Sequence, residues 1–437
     1  GPVDPGDFKS YVFPLLFLKW ISDTWDWEHS QAVEDFGPAV LPEEEADYHR
    51  FVVPEGCHWD DLKKHTVNVG SALQKLLDRL QEANHQKLSG VFGDVAWGNK
   101  DRLPEPNLLN LIDSFDALTL NPEHVPNDVL GAAYEYLLRS FADVSGKKAG
   151  EFFTPRAVVH LLVNLLAPSG EESVYDPACG SGGMLVETVQ AVREAGGDPR
   201  TLRLRGQEVN LTTSAIAKMN LFIHGIEDFS ILRGDTLRDP KHRTPTGDLE
   251  QFDVVIANPP FSLSNWGADT WATDPRAACG VPPKDKGDYA WVQHMVASMD
   301  PSNGRVGVVM PHGVLFRGGS EAAIRQCLIE GDELDAVVGL PNNLFYSTSI
   351  PACLLIFRAN KPAERKGHVL FVDASERYTE GRNQNHMARD DISATIEAFR
   401  TGSDPDGEGV GVRVRLVDHA EIKDANWDLN ISRYLRG

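Results

Sequence analysis

Long uncharged apolar runs are missing from this 437-residue sequence. The most apolar early stretch, "YVFPLLFLKW" (11–20), contains Pro14 and Lys19. It falls short of the roughly 18–20 residues that a membrane-crossing helix requires. It has no basic leader and no small-residue cleavage site, so it does not read as a signal peptide either. The chain is expected to be intracellular, with no membrane partner. Cysteine is scarce: Cys57, Cys179, Cys279, Cys327 and Cys353 are scattered, odd in number and never in a CxxC pair. That predicts neither a zinc site nor a disulfide framework. Basic residues are also in deficit, 42 Lys and Arg against 64 Asp and Glu, for a net charge of −22. Acidic runs such as "PEEEAD" (42–47) add to it locally. A protein that grips nucleic acid alone usually carries a basic stripe. Work on nucleic acid would therefore require clustered basic residues or a partner that supplies the grip. An initiating methionine is absent, and Gly1-Pro2 reads as a protease-cleavage scar on a shortened chain.

What is present is ordinary globular composition, 41% hydrophobic and 24% charged, with room for two or three domains. The first third reads as helices. "VNVGSALQKLLDRLQEAN" (67–84) and "VPNDVLGAAYEYLLRSFAD" (125–143) carry apolar residues at helical spacing, with Asn127 as an N-cap candidate. The Gly/Ser/Lys stretch "DVSGKKAG" (143–150) suits a boundary, dividing a helical domain, 1–145, from a domain spanning 146–437. Beyond it, short β-rich runs alternate with helical segments, which predicts an α/β fold with a mostly parallel, doubly wound sheet. Ligands of such sheets sit at the carboxyl ends of the strands. "LDAVVGLP" and "ACLLIFRA" lack a long helix between them, so an antiparallel edge is expected. Residues 360–437 are mixed and less readable.

Three strands end in acids. "VYDPACGSGGML" (174–185) places Asp176 before a glycine loop, Gly180, Ser181, Gly182 and Gly183, that opens a helix. Glycines permit tight turns and close ligand approach, and the helix behind them offers free N–H groups. The loop is not GxGxxG and lacks a P-loop lysine, which disfavours a nucleoside triphosphate. "RGQEVN" puts Glu208 at the end of the second strand, where an acid commonly takes ribose hydroxyls. "RGDTL" (233–237) ends the third strand with Asp235, an acceptor for an adenine amino group. Each acid alone is unremarkable; three strand ends on one crevice are a stronger signal. The fourth strand stops in "VVIANPPFSLSN" (254–265), a stiff, donor-poor tip carrying one amide, Asn258, and one ring, Phe261.

"DPACGSGG" followed by "NPPF" resembles the S-adenosylmethionine-dependent methyltransferases that modify adenine N6 in DNA. More narrowly, "GEFFTPRAVVHLLVNLL" (150–166) and "FKSYVFPLLFLKWISD" (8–23) resemble the modification subunit of type I restriction–modification systems over nearly the whole chain. The resemblance implies a Rossmann-like S-adenosylmethionine-dependent methyltransferase sheet behind a helical N-terminal domain. It implies that Glu151, Phe152, Phe153, Thr154, Pro155 and Arg156 cover the methionine end of the cofactor. Asp176, Gly180, Ser181, Gly182 and Gly183 would lie beneath it, with Glu208 on the ribose and Asp235 on the adenine.

The same resemblance gives the NPPF tip its task. An exocyclic adenine amine is a poor nucleophile because its lone pair is delocalised. Two acceptors, the Asn258 side-chain oxygen and the Pro259 carbonyl, would hold its hydrogens while density builds on nitrogen. Pro259 and Pro260 stiffen the tip, and Phe261 would stack on a base flipped out of the duplex. The chemistry requires no metal and no strong general base. The implied partners are double-stranded DNA, a specificity subunit, a restriction subunit and a second copy of this chain, in a prokaryotic cytoplasm. The rival readings are a protein-glutamine or RNA amino-methyltransferase, which share the tip, and a non-catalytic assembly subunit.

Overall fold

The computed structural model describes residues 5–144, 154–345, 348–406 and 411–435. The expected boundary loop falls almost wholly outside the described residues, as do Glu151, Phe152 and Phe153. The chain divides into two units, Gly1–Glu151 with Asn210–Ile226, and Phe152–Val209 with Glu227–Gly437.

The first unit is helical. Its longest helix, Pro5–Phe36, contains Pro14, which removes a backbone donor and typically costs about 3 kcal/mol or more inside a helix. Burial offsets that cost. Phe13, Leu15, Leu16, Phe17, Leu18, Trp20 and Ile21 are all buried, the pattern of a helix enclosed on every side. Phe17 alone lies 5.4–6.4 Å from the rings of Trp20, Phe51, Phe92 and Phe222. The expected helices appear as Val69–Ala83 and Asn127–Val144. Asn127 is the first helical residue rather than the cap, and the preceding Pro126 carbonyl accepts the bond from Leu130 N–H. The helix Leu211–Ile223, which follows the second strand in sequence, belongs to this unit.

Among the described residues, the second unit is built on a nine-stranded sheet. Its strands are β1 (Ser173–Asp176), β2 (Arg203–Glu208), β3 (Phe229–Arg233), β4 (Val254–Ala257) and β5 (Arg305–Pro311), followed by β6 (Leu334–Gly339), β7 (Ala352–Arg358), β8 (His368–Asp373) and β9 (Arg413–Asp418). The order is β3-β2-β1-β4-β5-β7-β6-β8-β9. The first five run parallel, β7 is antiparallel to both neighbours, β8 is parallel to β6, and β9 is antiparallel to β8. Fold class follows the sequence reading.

Two features differ from expectation. The antiparallel strand of the expected pair, β7, is internal, and the antiparallel edge is formed instead by β9. "ACLLIFR" is buried at every position but the last, and such a strand at an open edge would expose an apolar pairing template. It inserts between β5 and β6, and the less readable C-terminal region supplies β8 and β9 beyond them. The edge on this side, β9, is largely exposed and carries Arg413 and Arg415, as edge strands commonly do. The second difference is a disulfide, Cys279–Cys327, with Cα atoms 5.6 Å apart. The partners are 48 residues apart in sequence, a separation that carries no local signal.

The chain fills β1, β2 and β3 outward on one side, then crosses to β4 on the other side of β1. That reversal makes the carboxyl ends of β1 and β4 the topological switch point, where ligands of open α/β sheets bind in a crevice.

Candidate active site

Asp176 closes β1 and is 1% exposed. Its Oδ1 accepts from Ala178 N–H at 3.0 Å, turning the chain into the glycine loop. Burial, with the nearby Glu208 charge adding to it, pushes the Asp176 carboxyl up to about 8. Gly180 (φ +53°) and Gly182 (φ +87°) take left-handed conformations that residues with a Cβ rarely adopt. The loop is tied to β2 by Cys179 N–H to the Gln207 carbonyl at 3.0 Å and Gly180 N–H to Glu208 Oε2 at 3.3 Å. The Cys179 thiol is pushed far up by burial, which disfavours the thiolate. Gly182 then caps the helix Gly183–Glu194. A Cβ built on Gly180 or on Gly183 would meet no protein atom within 4 Å. Beside that open space stand carboxylates, acceptors suited to hydroxyl and amine donors. The donor set and the space fit a nucleoside-bearing cation such as S-adenosylmethionine.

Asp235, half-buried beyond β3, accepts from Leu237 N–H at 3.1 Å and Arg238 N–H at 3.3 Å. The next residue, Thr236, donates its hydroxyl to the Pro177 carbonyl at 2.5 Å, joining this loop to the one after Asp176. Under both lies Arg276, 5% exposed, which sequence reasoning missed. It donates to the carbonyls of Thr236 (3.0 Å) and Leu237 (2.7 Å), pairs with Asp274 (2.8 Å) and sits 4.5 Å over the Trp271 ring. A charged side chain so enclosed persists only when its donors are met. The local "DPRA" reads as a plain turn, so nothing near it in sequence signals the role.

At the end of β4, Asn258 Nδ2 donates to Thr154 Oγ1 at 2.8 Å. A residue expected over the cofactor thus lies against the expected catalytic amide, fixing which way that amide faces. Pro155 caps the helix Arg156–Leu166, its carbonyl accepting from Val158 and Val159 N–H, and Arg156 is exposed. Pro259 is buried, and Pro260 and Phe261 are half-buried. The Phe261 ring lies 6.2 Å from that of Phe345, tilted at 63°. The contacts therefore join Asp176, Gly180, Glu208 and the Asp235 loop into one group. Thr154 and Asn258 form a second at the neighbouring strand end. Ser181 is half-buried in the first.

The model of the N-6 DNA methylase family matches residues 125–437, and that of the HsdM N-terminal domain matches residues 1–115. The chain belongs to the N-6 DNA methylase family. It is 34% identical over 406 residues to the type I restriction enzyme HindI methylase subunit of Haemophilus influenzae, covering 88% of this chain and 89% of that protein. It is also 34% identical to the MjaVII methylase subunit of Methanocaldococcus jannaschii, over 86% of this chain but only 65% of that longer protein. Among solved structures, a type I restriction–modification methyltransferase subunit from Streptococcus thermophilus superposes with a TM-score of 0.84. It is 30% identical, with 99% of this chain and 96% of that one covered. A modification subunit from Vibrio vulnificus shares the fold at 22% identity and a TM-score of 0.75. As a member of the family the chain is an adenine-N6 DNA methyltransferase of the type I methylase-subunit kind, which favours that reading over protein-glutamine or RNA methylation. Among the described residues no helix is long and apolar enough to cross a membrane.

Proposed function

We propose that the crevice at the ends of β1 and β4 binds S-adenosylmethionine and a flipped adenine of duplex DNA side by side. The observation that carries the reading is the Asn258 amide, held by Thr154 at 2.8 Å on the strand next to the Asp176–Glu208 glycine loop. With Nδ2 committed to Thr154, Oδ1 is directed to accept from the target amine. The Pro259 carbonyl would accept from the amine's second hydrogen, so the two acceptors would draw density onto nitrogen. Pro259 and Pro260 hold both acceptors in place, and Phe261 offers the stacking face. Glu208 accepts from the ribose hydroxyls and Asp235 from the cofactor's adenine amine. Asp176 and the glycine loop, Gly180 to Gly183, receive the cationic end, and Thr154, Pro155 and Arg156 close over it. The cofactor, when bound, supplies a methyl already activated by a sulfonium, so the chain's task is alignment.

The chain works in an assembly. At a net charge of −22 it is poorly suited to neutralising phosphates, and flipping a base costs a few kcal/mol. A specificity subunit supplies grip and base readout, two copies of this chain flank the duplex, and a restriction subunit supplies cleavage, in a prokaryotic cytoplasm. The test is gel-shift and tritium transfer from labelled S-adenosylmethionine, with and without the specificity partner. Methyl transfer to adenine N6 only in the complex is the expected result. Tight, sequence-specific binding by the isolated chain at physiological salt would refute the assembly, and labelled glutamine or RNA would refute the substrate.

A further inference from the structure

Ser262, immediately after Phe261, holds φ +49°. A residue other than glycine in that region carries roughly 1 kcal/mol or more of strain and persists only where its surroundings over-determine it. The determinant is Asp288, the first residue of the helix Asp288–Ala297, whose side chain is 0% exposed. Its Oδ1 accepts from Ser262 N–H at 2.8 Å, and its Oδ2 faces the Ser262 hydroxyl at 3.5 Å and Arg317 Nη2 at 2.7 Å. Arg317 also reaches Glu321 at 3.3 Å, and its own backbone is held through its N–H to the Gly313 carbonyl (2.9 Å) and its carbonyl to Arg325 (3.0 Å). One residue further on, the Leu263 carbonyl accepts from Gly287 N–H at 2.9 Å. The helix behind these anchors is packed in the core through Tyr289, Ala290, Val292 and Met295. The loop after β4 is thus moored to the loop after β5 through one buried carboxylate.

We infer that Asp288, paired with Arg317, is a positioning residue that holds the turn behind Phe261 and thereby sets the aim of Asn258, Pro259 and Phe261. The inference rests on the methyl-transfer reading of that tip. Nothing in the "GDYAW" sequence around Asp288 marks the role, because the bond it makes spans 26 residues. Displacement of a reacting group by about 1 Å can cost 10²-fold in rate. The cofactor contacts of Asp176, Glu208 and Asp235 lie on other strands and are untouched by this carboxylate.

The test compares Asp288→Ala and Asp288→Asn in the complete complex. Asp288→Ala is expected to lower the single-turnover methylation rate about 10²-fold, with the S-adenosylmethionine dissociation constant within about twofold of wild type. Asp288→Asn keeps an acceptor for Ser262 N–H and should recover much of the rate, because charge-assisted bonds are only about twice as strong as neutral ones. Hydrogen exchange at the Ser262 amide reads the tether without DNA, and should accelerate in Asp288→Asn and more so in Asp288→Ala. If Asp288→Ala does not fold, Asp288→Asn alone decides. Wild-type exchange at Ser262 in Asp288→Asn, or cofactor binding that falls in step with rate, overturns the inference. A wild-type complex that methylates no adenine overturns the functional reading instead, whatever the exchange shows.

Discussion

Thr154→Val is the sharpest probe of the proposed catalytic tip. Valine keeps the β-branched shape and removes only the hydroxyl that accepts from Asn258 Nδ2 at 2.8 Å. A neutral hydrogen bond contributes about 0.5–1.5 kcal/mol net, so an amide free to turn should slow methyl transfer about 2- to 13-fold. Asn258→Ala removes the acceptor itself and should cost on the order of 10²-fold, the scale seen when one preorganised partner of a charge-developing centre is deleted. The pair makes a double-mutant cycle. If Thr154 acts only by orienting Asn258, adding Thr154→Val to Asn258→Ala changes nothing further, and the coupling energy equals the single-mutant loss. The assay is single-turnover tritium transfer in the complex, which isolates chemistry from product release. Calorimetry with S-adenosylmethionine runs in parallel. Additive losses, or a tenfold weaker cofactor with an unchanged rate, would refute the orienting role and return Thr154 to the cofactor.

Four other outcomes follow from the geometry. A carboxyl raised to about 8 stays protonated through neutrality, so Asp176 should cost stability as pH climbs from the usual carboxylate range toward 8. The melting temperature of Asp176→Asn should accordingly fall less than that of wild type between pH 6 and 8. A cationic ligand favours the ionised form, so wild type should release a proton on binding S-adenosylmethionine near pH 7, seen as a buffer-dependent calorimetric enthalpy that Asp176→Asn lacks. Phe261→Ala should weaken engagement of the flipped base by roughly 1–3 kcal/mol, less when the target is already unpaired. Unchanged 2-aminopurine fluorescence would exclude that ring as the platform. Reducing Cys279–Cys327, which closes a loop across 48 residues, should lower stability by up to about 4 kcal/mol on the chain-entropy account. Melting with and without dithiothreitol checks it, and five reactive thiols in the unreduced, denatured chain would refute the bridge.

Much of this protein is legible in one dimension because its signals are local. Strand, acid and glycine loop follow one another within "VYDPACGSGGML", and strand and stiff tip within "VVIANPPF". Chain chemistry at such short range is set by neighbours: prolines and glycines restrict or free the backbone wherever they stand. The alternation of apolar runs likewise announces an α/β sheet before any contact forms. Strand order is another matter. That "ACLLIFR" inserts between β5 and β6, and that the polar C-terminal region adds β8 and β9, depends on which edges remain to be covered once the parallel core is built. The same holds for the long-range contacts at the proposed site. Thr154 meets Asn258 across 104 residues, Arg276 reaches Thr236 across 40, and Asp288 holds Ser262 across 26. Each joins side chains that only the packed chain brings together, and for the buried Arg276 and Asp288 an unmet charge would be too costly to persist. The sequence names the atoms that can react, and the tertiary structure decides where those atoms point.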